Sequence, residues 1–380
     1  MSGVGDGDRA PVGAGSSPTN DHHVALATTT TRAATAPATT GPRRPLVDSC
    51  AVRAARSITP SWRSGPRTHP QYGGGVAVVW LPDDDWDRQL QVPTGLSVDV
   101  WRSGMPLPST VRDVEFYVPE YMGPTEVIEV LADLPSLRVV QTLTAGYDDL
   151  LERLPTGVTL CNAAGVHDAS TAELAVGLII ASLRGFAGFV RAQDQGAWIH
   201  SRHDSLADRR VLLVGVGSVG SAIAGRLEPF EVGLTLVGRT SRQGVHGVDE
   251  LAQLLPEAEV VVLAVPYGNS THHLVDASFL AAMSDGALLV NVARGAVVDT
   301  DALVTELSSG RLRAALDVTD PEPLPPEHPL WRVPNVMISP HVGGDTTAFM
   351  PRAWALLQRQ LDRFAAGDRL DNVVVPGTRR

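Results

Sequence analysis

The chain has 380 residues, 43% of them hydrophobic and 19% charged, which suits two or three globular domains. Its net charge of −11 argues against a nucleic-acid partner, which would need a basic face, and because all 31 basic residues are arginine, chemistry through a lysine Schiff base is excluded. The two cysteines, Cys50 and Cys161, imply no disulfide framework and fit a reducing, cytoplasmic setting, and the apolar stretch Leu174 to Leu183 is too short to span a membrane.

Residues 1–72 are rich in Thr, Ala, Pro and Gly, lack hydrophobic periodicity and hold eight arginines against four aspartates. They are expected to form a disordered extension. Order begins near Gly75 with a buried strand, followed by β-like runs at Ser97 to Trp101, Val114 to Val118, Leu137 to Leu143 and Val158 to Cys161, with a helix over Pro124 to Ala132. Such alternation predicts a small parallel α/β sheet. Ser170 and Glu173 match a capping box that would open a largely buried helix through Leu183.

Arg210 to Val214 reads as a strand that runs into Gly215, Gly217 and Gly220, and Ser218 to Leu227 reads as the helix after it. That order aims backbone N–H groups at a phosphate, so a dinucleotide site is expected. The next strand, Gly233 to Val237, ends at Gly238, where an NAD enzyme usually keeps an aspartate for the ribose 2′-hydroxyl. Here Arg239, Thr240, Ser241 and Arg242 follow instead. Two guanidinium groups and two hydroxyls suit a 2′-phosphate, so NADP is favoured over NAD as the cofactor.

Further along, Glu259 to Val265 reads as a central strand, Thr300 to Gly310 as a capped helix ending in glycine, and Thr346 to Ala366 as a long helix returning to the first domain. Three strand ends carry reactive side chains. Arg294 follows Ala287 to Ala293 and offers a planar charged fork for a carboxylate; His341 follows Asn335 to Ser339 and offers a proton donor near neutral pH. Glu322 lies in the turn Asp320-Pro321-Glu322-Pro323, where a solvated carboxylate is the default, but it could also orient the imidazole. The histidine pairs His22 and His23, His200 and His203, and His272 and His273 read as loop or surface residues, and no metal site is expected.

The run Asn291 to Gly295, the Leu-Asp-Val segment at Asp317 with Glu322 five residues later, and the pair Pro340-His341 occur in that order after the glycine loop. From about Val76 to Val375 the chain resembles the D-isomer-specific 2-hydroxyacid dehydrogenase family, in particular its glyoxylate and hydroxypyruvate reductases. The resemblance implies α/β architecture with two doubly wound parallel-sheet domains. A flavodoxin-like substrate domain would cover residues 73–165, with 344–380 returning to it, and a Rossmann domain for NAD(P) would cover 166–343. By the same resemblance Arg294 binds the substrate carboxylate and carbonyl, His341 is the general acid or base, Glu322 pairs with His341, and Asp317 holds the nicotinamide carboxamide. The backbone of Ala145 and Gly146 would hold the carboxylate, and Tyr147 stands where a small aliphatic residue is common, which bears on the size of the pocket. The glycine loop, with Ser218 and Val219, would hold the dinucleotide together with Arg239, Thr240, Arg242 and Pro266, and with Ala293 and Gly343 near the nicotinamide. The implied reaction is reduction of a small 2-oxo acid to the D-2-hydroxy acid by a homodimer. Glu322 argues against a formate dehydrogenase, which has glutamine there. Alternatives are a corepressor-like dinucleotide sensor acting through protein contacts, and a phosphoglycerate-type dehydrogenase.

Overall fold

In the computed structural model, residues 76–378 are described, so the extension expected over 1–72 lies outside them. Strands covered on both faces need apolar side chains throughout, and the short apolar runs of this chain meet that need. The first sheet contains β1 (Ala77–Leu81), β2 (Leu96–Val100), β3 (Val114–Tyr117), β4 (Val139–Gln141) and β5 (Thr159–Cys161). These pair in parallel in the order β2-β1-β3-β4-β5, the flavodoxin-like order. In place of the helix expected over Pro124 to Ala132 there is one α-turn, Glu126–Glu129, that tightens into a 3₁₀ turn over Val130–Asp133. Pro135 disfavours the helical conformation at Leu134, which stops the helix there.

The second sheet contains β6 (Arg210–Val214), β7 (Gly233–Gly238), β8 (His246–Gly247), β9 (Val260–Leu263), β10 (Leu288–Asn291), β11 (Arg313–Leu316) and β12 (Val336–Ile338). All are parallel, in the order β12-β11-β10-β9-β6-β7-β8. The predicted central strand is therefore central. Its side chains sort with a period of two: Val261 and Leu263 join Leu289 in the core on one face, and Val260 and Val262 join Leu288 and Val290 on the other. The helix Thr300–Ser308 is capped as expected, with the Asp299 carboxylate accepting from the Ala302 N–H and Gly310 following at φ +77°.

The helix Asp168–Leu183 covers the second face, burying Ala172, Ala175, Leu178 and Ile179 there. The capping box expected at Ser170 does not form. The helix begins two residues earlier with no side-chain cap, and Ser170 Oγ bonds Thr346 Oγ1 at 2.7 Å, so a tertiary contact has claimed the hydroxyl. The long helix starts at Phe349, after a turn in which Thr346 Oγ1 accepts from the Ala348 N–H. It packs Phe349, Ala353, Leu357 and Leu361 against the first sheet and leads to β13 (Val373–Val375), an edge strand antiparallel to β5. The chain thus passes from the first sheet's layer to the second over 162–167 and returns over 339–348. Among the described residues no single helix is long and apolar enough to cross a membrane; Asp168–Leu183 and Phe186–Asp194 pass that test only as a pair bent by 67°.

Candidate active site

β6 delivers the glycine loop, and two of its three glycines are demanded by close packing. Gly215 has φ +107°, and a Cβ there would lie 2.3 Å from Ala264 O; at Gly220 it would lie 1.9 Å from Gly215 O. Gly217 faces open space and opens the helix Ser218–Leu227 with no side-chain cap. The first N–H groups of that helix, from Ser218 to Gly220, are therefore free for an anion, and a side chain at Gly217 would stand in its way. This cradle fits the pyrophosphate of a dinucleotide.

At the end of β7, Gly238 is buried, and Arg239, Thr240, Ser241 and Arg242 are exposed. Arg242 begins a tight turn closed by reciprocal 2.9 Å backbone bonds with Val245. A Cβ on Gly238 would come 3.0 Å from Arg242 Nη1, so the guanidinium lies over the strand end. Among the described residues neither Arg239 nor Arg242 pairs with a carboxylate. Pro266, after β9, is exposed and its carbonyl accepts from Thr271 Oγ1.

Beyond β10, Asn291 holds the Arg294 turn by donating to Arg294 O at 2.9 Å and accepting from the Ala293 N–H at 3.0 Å. Gly295 is required because a Cβ would lie 1.9 Å from Thr319 O, in the loop after β11. The Arg294 guanidinium donates to Ala293 O at 2.8 Å, stands 3.5 Å from Asp148 and lies over the backbone of Gly146, where a Cβ would fall 1.4 Å from Nη2. Arg294 and the Ala145-Gly146 loop, drawn from different sheets, therefore meet face to face.

The histidine loop is built on Asp317, which is buried at the end of β11. Its carboxylate accepts from Ser339 Oγ (2.7 Å) and from the N–H groups of Val342 (3.0 Å) and Gly343 (2.9 Å), and its carbonyl accepts from the His341 N–H (2.7 Å). These bonds hold His341 at φ +53°, a conformation that costs a non-glycine residue about 1–2 kcal/mol. His341 Nδ1 meets Glu322 Oε1 at 2.6 Å. Burial pushes the Glu322 carboxyl up, but the hydrogen bond and charge of His341, the Thr319 backbone and Arg294 together hold it below its ordinary value. Among the described residues His341 Nε2 has no partner.

A cavity of about 120 Å³ joins these groups and is lined by Ala145, Gly146, Val219, Arg294, Asp317, His341 and Gly343. Tyr121, Met122, Thr144, His167, Thr171, Val292 and Gly344 complete its wall. Tyr147 does not line it. The tyrosine is half-buried and packs against the hydrophobic cluster that contains Val127, Leu131 and Leu150, so it does not set the pocket's size as expected. Tyr121 is the aromatic group at the site; burial, then the charges of Asp345 and Asp317, push its phenol up. Of the other histidines singled out in the sequence, His203 bonds Ser201 and His272 stacks on His273, while His22 and His23 lie outside the described residues. Cys161, on β5 beside β13, is buried, and that burial pushes its thiol up to about 12.

Residues 176–343 match the family model described as D-isomer specific 2-hydroxyacid dehydrogenase, NAD binding domain. A glyoxylate reductase of Thermofilum pendens is 34% identical over 255 residues, 63% of this chain and 75% of that protein. The chain belongs to the D-isomer specific 2-hydroxyacid dehydrogenase family. Among solved family members, the enzyme from Xanthobacter autotrophicus Py2 in complex with NADPH is 30% identical, with a TM-score of 0.69 over 80% of this chain and 99% of that one. An NADPH-dependent glyoxylate/hydroxypyruvate reductase from Sinorhizobium meliloti is 27% identical, with a TM-score of 0.66 over 80% and 99%.

As a 2-hydroxyacid dehydrogenase the protein is an oxidoreductase that acts on CH–OH groups of small 2-hydroxy or 2-oxo acids and uses a nicotinamide dinucleotide. The Gly217 cradle and the uncapped helix fit that cofactor. Tyr121, Met122, Thr144 and His167 were not singled out from the sequence. A signal for three of them existed: Tyr121, Met122 and Thr144 follow the carboxyl ends of β3 and β4, where open α/β sheets bind ligands. Nothing in the sequence pointed to His167.

Proposed function

We propose that this dehydrogenase reduces a two- or three-carbon 2-oxo acid of the glyoxylate or hydroxypyruvate kind to the D-2-hydroxy acid, with NADPH preferred over NADH. The observation that carries the reading is that His341, paired with Glu322 at 2.6 Å, shares one small cavity with the Arg294 guanidinium. The cavity is small, about 120 Å³, which suits a small acid. Arg294 and the N–H groups of Ala145 and Gly146 hold the carboxylate, and Arg294 also polarises the keto oxygen. His341, protonated at Nε2, gives its proton to the oxygen as negative charge develops there, and Glu322 stabilises the imidazolium before transfer. When bound, the nicotinamide supplies the hydride in reduction and takes it in oxidation. Asp317 fixes the loop that presents His341 and lies at the cavity wall, where the carboxamide would sit.

In this reading residues 73–165 and 344–380 form the substrate domain, and 166–343 hold the cofactor through the glycine loop, Ser218, Val219, Pro266, Ala293 and Gly343. Arg239, Thr240 and Arg242 bind the 2′-phosphate. Phe186, Phe189, Val190 and Ile199, with Trp198 97% exposed, form an apolar surface that a second copy covers in a homodimer. Neither a sensor nor a phosphoglycerate-type enzyme is favoured: a sensor needs no histidine–glutamate pair, and Arg294 is the one guanidinium on the cavity wall among the described residues. The test is a spectrophotometric screen of glyoxylate, hydroxypyruvate, pyruvate and bulkier 2-oxo acids with both cofactors. Turnover of glyoxylate or hydroxypyruvate with NADPH is expected; absence of turnover with every acid refutes the proposal.

A further inference from the structure

His167 sits where the chain makes both of its passages between the sheets. It ends the outgoing segment, directly before the helix Asp168–Leu183, and it is buried. Its two ring nitrogens face carbonyl oxygens from opposite sides of the site. Nε2 is 2.7 Å from Leu143 O, one residue before the Thr144-Ala145-Gly146 loop. Nδ1 is 3.2 Å from Gly344 O, three residues after His341 on the returning segment. A carbonyl oxygen only accepts, so the doubly protonated ring makes both bonds and the neutral ring makes one. The ring is also held face-on, stacked at 5.6 Å from Tyr121 and 4.9 Å from Phe349, the first residue of the long helix. A Cβ on Gly344 would fall 2.5 Å from Nδ1, so nothing larger than glycine fits at that contact.

We propose that His167 is a positioning residue that ties the carboxylate-binding loop to the histidine loop and so fixes the spacing between the Ala145-Gly146 amides and the His341 imidazole. No other side chain among the described residues bonds the backbone just before one loop and just after the other. The nearby Ser170–Thr346 bond joins the helix Asp168–Leu183 to the returning passage but reaches neither loop. The kinetic part of this proposal rests on the proposed reduction of a 2-oxo acid; the structural part does not.

The test compares three variants of the full-length protein by amide hydrogen exchange and by steady-state kinetics. His167→Phe keeps a flat ring between Tyr121 and Phe349 but removes both bonds. His167→Asn places an amide nitrogen near the position of Nδ1 and restores the Gly344 contact; His167→Gln reaches the position of Nε2 and restores the Leu143 contact. In His167→Phe, exchange at residues 144–146 and 341–346 is expected to quicken by about tenfold or more. kcat/KM for the oxo acid should fall roughly 10- to 100-fold while KM for NADPH stays within about twofold, since only the relation between the loops is loosened. Asn should restore protection in the second segment alone, and Gln in the first alone. If exchange in His167→Phe matches the unmodified protein, the proposal is overturned. Loss of protection that neither Asn nor Gln repairs also overturns it, because the ring's packing would then explain the effect. Should His167→Phe fail to fold, the opposite pattern expected of Asn and Gln decides the matter. If the unmodified protein turns over no oxo acid, the proposed reaction fails, and the exchange pattern still decides the tie.

Discussion

Gly146→Ala separates the fold from the chemistry. A methyl group there would fall 1.4 Å from Arg294 Nη2 and 2.6 Å from Cζ, so the guanidinium must withdraw by about 2 Å to restore ordinary contact. The obstruction is the far end of a flexible side chain, and Gly146 does not have a positive φ. Stability should therefore change by less than about 1 kcal/mol. The reaction has no such tolerance. Displacing a substrate-orienting group by 1 Å can cost about 100-fold, and a retracted fork also loses charge-assisted hydrogen bonds of about 1.5–3 kcal/mol. A fall in kcat/KM of roughly 10²- to 10³-fold is expected, with the melting temperature and the affinity for NADPH nearly unchanged. The measurements are thermal unfolding, NADPH binding by fluorescence, and glyoxylate reduction on one preparation. A folded Gly146→Ala protein with normal kcat/KM would show that Arg294 does not act from the position it occupies over this loop.

Glu322→Gln removes a carboxylate that is held below its ordinary value, so in the unmodified protein the pair with His341 persists as pH falls until that lowered value is crossed. The contact is 38% exposed on the glutamate side, so its loss should cut kcat/KM for keto-acid reduction about tenfold; an unchanged kcat/KM would reduce Glu322 to a loop carboxylate. Gly238→Asp puts a carboxylate beside Arg242 Nη1 and against the 2′-phosphate, and should reverse the NADPH preference, with Arg242→Ala raising KM for NADPH about 10- to 150-fold and sparing NADH. Equal use of both cofactors by the unmodified enzyme at low concentration would refute the phosphate reading. Asp317→Asn can keep acceptors for Ser339 and Val342 only by turning an NH₂ group toward the Gly343 N–H, so it should lose about 1–3 kcal/mol in denaturant unfolding as well as turnover; full stability would mean that the loop does not depend on the carboxylate.

What could be read from the sequence was whatever local pattern determines. The glycine loop, its flanking strand and helix, and the central strand Val260–Leu263 follow from apolar runs and from glycines at fixed spacing. Arg294, Glu322 and His341 were found through motif order; Arg294 and His341 line one cavity, and Glu322 bonds His341 from behind it. Contacts between distant segments were not legible. Ser170 matched a cap but is held by Thr346, 176 residues away. Tyr147 adjoins the carboxylate loop in sequence but lies half-buried against the hydrophobic cluster of the first sheet, where an aromatic ring gains from apolar contact. His167 has no motif at all; its role depends on Leu143 and Gly344, which only the folded chain brings to one ring.

The antiparallel strand β13 makes the first sheet a product of both halves of the chain. Its partner β5 is synthesised more than two hundred residues earlier, and the whole second sheet is inserted between them. On the ribosome, therefore, the inserted layer emerges complete while its elder neighbour still lacks an edge and the long helix that covers one face. Contacts of such sequence separation close slowly. In the interval the outer edge of β5 presents unpaired backbone groups that another chain could adopt. A stop codon placed before Val373 would make that interval permanent, and the protein so shortened should aggregate through its oldest sheet although its nucleotide cradle is intact.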